Sequence, residues 1–243
     1  MITLKDLSLE KFKSQKQYQN FIKALNTFVS KKSKLKNISH IFVGGSFVLG
    51  NLHKESDLDC YMIDKNVKGM IEESQIINGV KVDYLVLNRS IINKEIEREK
   101  LGNFKLFSGS VAILKRVSGD NSFNKLIAKA KKISKLKPPK VPREEIITNI
   151  AFLTNQKQEI EWMRKNNDIV GFHLRTNHVI SCCVGFYFQI NRIPRPAWKK
   201  LSMGIQNKKL LNLIEKVLLE RNDIKKHKAL CDLIDYSIKC LTS

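Results

Sequence analysis

The sequence lacks any long hydrophobic run. Its longest apolar stretch, around Val179 to Ile190, is too short and too polar at its flanks to span a bilayer. The first residues carry acids and lysines instead of the apolar centre of a signal peptide, so no signal peptide is expected. From these absences we expect no membrane partner and a cytoplasmic location.

Cysteine is scarce and does not occur in ligand-like pairs. The five cysteines are odd in number, and neither they nor the five scattered histidines have the paired spacing of a zinc site. Cys182 and Cys183 are neighbours in an apolar segment, which is typical of buried thiols in a reducing compartment. The sequence therefore predicts no zinc centre.

Acidic residues are few. The chain has 23 Asp and Glu against 44 Lys and Arg, which gives a net charge of +21. A surplus of this size favours anionic partners such as nucleic acid, nucleotides or a membrane surface. An AT-rich genome that places Lys on solvated faces would give the same surplus, and the many Lys, Asn and Ile residues agree with that origin. Both interpretations stay open at this point.

What the sequence does contain is a compact polar motif between two apolar runs. Ile41-Phe42-Val43 is a strand-like run that stops at Gly44-Gly45-Ser46, and a second such run covers Leu58 to Ile63. Because residues i and i+2 of a strand point to one face, Asp57 and Asp59 are expected to project side by side. Two carboxylates this close stay ionised most readily with a cation between them, and Mg²⁺ prefers such oxygen ligands together with nucleotide phosphates.

The glycines and serines of the motif predict a phosphate-binding loop. Glycine lets the backbone approach a triphosphate closely, and Ser46, at the expected start of a helix, can offer its hydroxyl and its amide. Gly45 and Ser46 are therefore candidate nucleotide-binding residues. Ser56 is a further candidate, although its main expected role is to cap or brace the turn before Asp57.

Gly45-Ser46-x-x-x-Gly50 followed by Ser56-Asp57-x-Asp59 resembles the signature of the DNA polymerase β-like nucleotidyltransferases. The small stand-alone type, which includes the aminoglycoside and lincosamide nucleotidyltransferases, is the most similar. The resemblance implies transfer of a nucleoside monophosphate from a triphosphate, with two divalent metals held by three carboxylates. Asp83, the one acid in the strand-like run from Lys81 to Leu87, is the candidate third carboxylate.

The implied mechanism is two-metal nucleotidyl transfer with release of pyrophosphate. Asp57 and Asp59 would hold both Mg²⁺ ions, or Mn²⁺ in their place, and Asp83 the ion next to the acceptor. Gly45 and Ser46 would fix the β- and γ-phosphates of the triphosphate, with ATP as the foremost donor. All three aspartates are thus predicted to be catalytic and metal-binding.

The order of elements predicts an α+β fold in two parts. A polymerase β-like nucleotidyltransferase domain, a mixed sheet with helices, is expected over 1–134, and a Pro/Lys linker over 135–142. An all-helical accessory bundle is expected over 143–243. Asn78-Gly79 predicts a β-hairpin that carries Asp83. The expected strands are 39–43, 58–63, 70–77, 80–87 and 111–117, and the expected helices are 8–31, 88–101, 122–133, 142–163, 168–190, 207–221 and 224–241.

The helical part adds further candidates through the same resemblance. An aromatic-rich helix followed by an Asn-Arg, Pro and Trp-Lys segment is similar to the accessory domain of the antibiotic-type enzymes, where a basic residue faces the nucleotide phosphates. That resemblance implies Lys199 or Lys200 for this role, with Arg192 and Arg195 behind them. A general base from this domain would be one of four acids, and Asp83 is the other candidate. The four acids are Glu144, Glu145, Glu159 and Glu161.

The sequence does not decide which class of acceptor receives the nucleotide. Chain size and the two-part layout favour a small molecule of antibiotic type, although polycationic aminoglycosides would prefer an acidic cleft. An RNA 3′ end, such as that of tRNA, would use the lysines near 31–36 and 125–140 to follow phosphates, but no aromatic stacking platform lies among them. A non-catalytic nucleic-acid-binding module is the third reading. Some relatives build the site between two subunits, so a homodimer is also a candidate assembly.

Overall fold

The computed structural model describes residues 1–197 and 201–242. The chain divides into two compact units. The first comprises Met1–Lys100 and Lys105–Leu136, and the second comprises Leu101–Phe104 and the chain from Lys137 onward. The fold is α+β, as the sequence predicts, with a five-stranded mixed sheet in the first unit and helices in the second.

The sheet of the first unit has the strand order β3-β4-β2-β1-β5. Strand β2 is parallel to β4, whereas the β1–β2, β1–β5 and β3–β4 pairs are antiparallel. The strands are β1 (Ile38–Val43), β2 (Leu58–Asp64), β3 (Ile71–Ile77), β4 (Val80–Leu87) and β5 (Lys115–Ser118). The helices are α1 (Lys16–Lys32), α2 (Gly45–Leu49), α3 (Arg89–Lys100), α4 (Leu106–Ala112) and α5 (Asn124–Ile133).

The predicted hairpin is confirmed at Asn78-Gly79. Both residues have positive φ, 52° for Asn78 and 75° for Gly79, which is the backbone that a two-residue type I′ turn requires. The turn joins β3 to β4 and pairs Ile77 with Val80. It thereby sets the register that places Asp83 in the sheet.

Two apolar clusters cover the two faces of this sheet. Helix α1 packs on the face that carries Ile41, Val43 and Leu58. Helices α3, α4 and α5 pack on the other face, where Phe42 and Leu87 are buried. The alternation of side chains along each strand therefore assigns α1 and α5 to opposite faces.

Two predicted elements of the first unit are wrong in part. The helix expected over 8–31 begins only at Lys16, because Leu9 and Phe12 lie in a segment of turns with a short 3₁₀ helix at Glu10–Phe12. The strand expected over 111–117 is split, since its first part ends helix α4 and only Lys115–Ser118 is extended. Helix α4 was not anticipated.

The start of α4 is fixed by a carboxylate from the preceding helix. Glu99 accepts hydrogen bonds from the backbone N–H of Phe107 at 2.8 Å and of Ser108 at 2.7 Å, and from the Ser108 hydroxyl at 2.6 Å. These donors would otherwise lack intrahelical partners. A cap that comes from so far along the chain leaves no local signal in the sequence.

Glu99→Ala is expected to destabilise the full chain by about 1–3 kcal/mol, because it leaves part-buried helix donors unpaired. Urea unfolding followed by circular dichroism measures this loss. Glu95→Ala is the matched control, because Glu95 lies on the same helix and forms only a 3.4 Å ion pair with Arg98. An exposed pair of this kind contributes about 0.2–1 kcal/mol, so equal losses in the two variants would contradict the capping role.

The second unit is a set of packed helices around one apolar cluster. Asp168 caps α7 by accepting from Gly171 N, and Asn207 caps α9 by accepting from Leu210 N, each at 2.9 Å. These caps agree with the predicted helix starts. The helices are α6 (Arg143–Lys165), α7 (Ile169–Ile190), α8 (Leu201–Gly204), α9 (Lys208–Leu219) and α10 (Asp223–Thr242). Across the described chain, none of the helices combines the length and apolar character needed to cross a membrane.

A short excursion of the chain contributes to the second unit. Leu101–Phe104, which the predicted limits place in the first domain, belongs to this unit. Asn103 O accepts from the backbone N–H of Arg195 at 3.1 Å, and Phe104 forms an isolated parallel bridge with Arg195. The chain thus leaves the first unit twice, once before Lys105 and once after Leu136.

Candidate active site

The parallel pairing of β2 with β4 brings two of the predicted carboxylates together. Asp59 lies directly opposite Asp83 in the register, and both are half-buried. Asp57 immediately precedes β2 and is also half-buried. The structure therefore brings Asp59 and Asp83 together, with Asp57 immediately before the start of β2.

Gly45 packs directly against the Asp59 carboxylate. Its φ is +64°, and a Cβ at this position would stand 1.6 Å from Asp59 Oδ2. The backbone N–H of Gly44 donates to the carbonyl of Asp59 at 2.9 Å, which ties the glycine loop to β2. Only a residue without a side chain fits here, so the glycine motif and the Asp-x-Asp motif form one packed structure.

Asp83 uses one of its two oxygens in an ion pair and leaves the other unpaired. Its Oδ2 accepts from Lys81 Nζ at 2.7 Å. Its Oδ1 is buried and has no hydrogen-bond partner among the described residues. A buried oxygen without a partner is costly in a folded protein and indicates a missing ligand or water.

Lys81 carries its charge close to all three carboxylates. The hydrogen bond to Asp83 raises the pKa of Lys81 most strongly, and the charges of Asp83, Asp57 and Asp59 add to the increase. Its side chain is 57% exposed, so water screens much of this attraction. Among the described residues, Lys81 is nevertheless a cation that lies beside the acidic cluster.

The donor set fits a hard divalent cation by its chemistry. Three carboxylates supply the oxygen ligands that Mg²⁺ and Mn²⁺ prefer, and Asp83 Oδ1 is an unsatisfied acceptor. The side chains do not form a complete metal site. Within residues 1–197 and 201–242, no three His, Cys, Asp or Glu side chains are grouped tightly enough to hold an ion.

The two candidate serines have different surroundings. Ser46 is half-buried in the first turn of α2, directly after Gly45. Ser56 braces the turn before Asp57: its Oγ accepts from His53 N, and its own N–H donates to His53 O, each at 2.9 Å. The local bracing role expected for Ser56 therefore matches its contacts.

The basic candidates of the second unit have structural contacts where they are described. Lys199 and Lys200 lie outside the described residues. Arg192 Nε donates to the carbonyl of Pro138 at 2.9 Å, and the Arg195 guanidinium lies 5.5 Å from the centre of the Phe104 ring. These contacts hold segments of the second unit together.

Two of the candidate general bases are engaged in ion pairs. Glu159 is bound by Arg175, which lowers the pKa of Glu159. Arg164 is the main cause that lowers the pKa of Glu161 to about 2. A carboxylate with a lowered pKa is a weak proton acceptor, so neither side chain is suited to general-base catalysis.

Lys81 is the residue that sequence reasoning missed. It stands two positions before Asp83 on the same strand, so the alternation rule that aligns Asp57 with Asp59 also puts Lys81 beside Asp83. Its place in the strand-like run could be read from the sequence, but its ion pair with Asp83 depends on how the two side chains are placed.

The glycine loop, the paired aspartates and the mixed sheet define a class of protein, and comparison with known sequences gives the same class. Residues 22–166 match the nucleotidyltransferase domain family, so the chain belongs to that family. A general transferase activity on a nucleotide substrate follows from this membership. No curated protein matches the chain in sequence.

The fold was also compared with solved structures. The crystal structure of a nucleotidyltransferase-like protein from Exiguobacterium sibiricum 255-15 is similar, with a TM-score of 0.48 and 10% sequence identity. The similarity covers 89% of this chain and 73% of that one.

Proposed function

We propose that this protein is a metal-dependent nucleotidyltransferase that transfers a nucleoside monophosphate, AMP foremost, from a triphosphate to an acceptor hydroxyl and releases pyrophosphate. The observation that carries the proposal is the register of β2 and β4, which sets Asp59 opposite Asp83 beside the glycine loop. Family membership supports nucleotide transfer in general. The metal requirement and the product are the parts that experiment must establish.

In this mechanism each residue of the cluster has a separate role. Asp57, Asp59 and Asp83 would hold two Mg²⁺ or Mn²⁺ ions, which when bound supply charge neutralisation at the phosphates and acidify the acceptor hydroxyl. Gly45 gives Asp59 room to lie against the loop. Gly45 and Ser46 would orient the β- and γ-phosphates, so that the α-phosphorus stays aligned with the incoming hydroxyl.

Asp83 is the proton acceptor that we favour over Glu159 and Glu161. Its Oδ1 is unsatisfied among the described residues, so it can receive the hydroxyl proton without losing an existing hydrogen bond. Asp83 is itself paired with Lys81, but only through Oδ2, whereas Arg164 holds both oxygens of Glu161. The proposal therefore assigns the general-base role to Asp83.

A small molecule of antibiotic type is the proposed acceptor, in line with the resemblance to the stand-alone enzymes. The distribution of lysines supports a compact acceptor. Lys31 and Lys32 end helix α1 on one face of the sheet, whereas Lys131 and Lys132 end α5 on the other. These four lysines lie on opposite faces of the sheet and so do not form one basic track, which a bound RNA strand would use.

Addition of nucleotides to an RNA 3′ end is the second candidate, because the net charge of +21 favours a polyanionic acceptor. In that case, activity and binding would decrease steeply as salt rises. A small uncharged acceptor would give only a shallow salt dependence, so the salt profile separates the two candidates.

The deciding experiment is mass spectrometry of the products formed with Mg²⁺ from labelled ATP, CTP, GTP and UTP. Total RNA and a panel of antibiotics are offered together as acceptors, and the Asp57→Ala/Asp59→Ala variant is the control. We expect an added nucleotide mass on a small molecule and none in the control. The same mass on RNA 3′ ends would replace the small-molecule acceptor with RNA. Absence of transfer to any acceptor, with RNA binding unchanged in the control, would refute the catalytic proposal.

A further inference from the structure

We propose that Lys81 is an intrinsic counter-ion of the carboxylate cluster, which competes with the divalent metal for Asp83 and must release it before the metal is fully bound. The inference rests on the proposed function, because it assumes that the aspartates hold a metal. It assigns Lys81 a positioning role, acting on the site through Asp83.

The geometry of β4 holds the ammonium group of Lys81 next to the Asp83 carboxylate. Lys81 and Asp83 lie on the same face of the strand, two residues apart, and their charged atoms are 2.7 Å apart. Asp83 also faces Asp59 across the β2–β4 pair. Any cation that bridges Asp59 and Asp83 therefore meets the ammonium group at the same carboxylate.

The two partners differ in their freedom to move. The Lys81 side chain is 57% exposed, whereas that of Asp83 is 25% exposed. A long exposed lysine can turn into water at little cost, whereas the aspartate is held by its strand. Exchange of the lysine for a metal would therefore move Lys81 and leave Asp83 in place.

The charges favour exchange once a divalent ion is available. The three carboxylates carry three negative charges, and Lys81 carries a single positive charge. A divalent cation attracts the cluster more strongly than a single ammonium group does, and it would compete with Lys81 for Asp83 Oδ2. Lys81 would thus stabilise the cluster without metal and weaken metal binding at the same time.

The simpler interpretation is an ordinary surface ion pair with no effect on the metal. Such pairs contribute little to stability, so stability alone cannot separate the two interpretations. Metal affinity can, because only a competing cation changes it when removed. Lys81→Met removes the charge and keeps the length of the side chain, and Lys81→Arg keeps the charge.

The test is the binding of Mn²⁺ to the full-length protein, measured by electron paramagnetic resonance of the free ion. We expect Lys81→Met to bind Mn²⁺ about fivefold to tenfold more tightly than the wild type, since a nearby positive charge is lost. Lys81→Arg should bind as the wild type does. Lys65→Met, just beyond the opposite end of β2, is the matched control for losing one lysine and should leave the affinity unchanged.

The outcomes separate this inference from the proposed function. If the wild type binds Mn²⁺ and Asp57→Asn/Asp59→Asn does not, the metal site stands; unchanged or weaker binding by Lys81→Met would then overturn the counter-ion role alone. An equal gain in Lys65→Met would also overturn it, because the effect would be one of overall charge. Failure of every variant to bind Mn²⁺ would overturn both proposals.

Thermal unfolding gives a second measurement. In EDTA, Lys81→Met should unfold at a lower temperature than the wild type, because Asp83 loses its ion-pair partner. Addition of Mn²⁺ should raise its midpoint by more than that of the wild type. Equal increases in the two proteins would count against competition.

Discussion

Asp59→Asn is expected to lower the rate of nucleotidyl transfer by about a thousandfold or more, which corresponds to about 4 kcal/mol of lost transition-state stabilisation. The substitution keeps the shape of the side chain and removes the charge that would hold the metals. Asp59 also packs against Gly45, so an isosteric change preserves the loop. Initial rates of pyrophosphate release at saturating triphosphate measure the effect.

Asp64→Asn is the matched control for this prediction. Asp64 ends the same strand, far from the glycine loop, and its Oδ1 accepts from the backbone N–H of Asn66 at 2.7 Å. The amide oxygen of an asparagine can accept the same bond, so we expect a rate close to that of the wild type. Asp59→Asn activity within tenfold of the wild type would remove Asp59 from the catalytic set.

Gly45→Ala is expected to impair both folding and activity. The new Cβ would stand 1.6 Å from Asp59 Oδ2, and alanine at a φ of +64° is strained whatever the surrounding space. The strained backbone alone costs about 1–2 kcal/mol. Displacement of the carboxylate by about 1 Å should reduce activity by about a hundredfold. Urea unfolding and transfer rates on the same preparation measure both effects.

Gly79→Ala separates backbone strain from the clash. Gly79 has a φ of +75°, but a Cβ there would meet nothing within 4 Å. We therefore expect only the strain cost, about 1–2 kcal/mol, with activity retained. In Gly45→Ala/Asp59→Ala, the steric part of the destabilisation should disappear while the protein stays inactive. If Gly45→Ala behaves like Gly79→Ala in both measurements, close packing against Asp59 is not what the site requires.

The parts of the site that depend on local pattern could be predicted from the sequence. Strand alternation indicated the common face of Asp57 and Asp59, and the Asn78-Gly79 turn indicated the hairpin that carries Asp83. The structure places Asp59 and Asp83 in direct register, which agrees with those predictions. Their catalytic roles stay predictions until the variants are measured.

The parts that depend on contacts between distant residues could not be predicted. Helix α4 was missed because its cap comes from Glu99, eight residues before Phe107. The first helix was extended too far, because Leu9 and Phe12 have near-helical spacing to the apolar residues of α1 but lie before its start at Lys16. The pairing of Lys81 with Asp83 required knowledge of how each side chain uses its oxygens and nitrogens. In these cases, side-chain contacts determined the local structure where the secondary-structure propensity of the sequence did not.

The excursion of Leu101–Phe104 into the second unit has a consequence for dissecting the protein. A single protease cut in the proline-containing segment before Arg143 would yield an N-terminal fragment that still carries Leu101–Phe104 of the second unit. Among them, Asn103 and Phe104 would leave behind their partner Arg195. The two fragments are therefore expected to reassociate through these contacts. Separate expression of either half should yield a less stable product than co-expression of both.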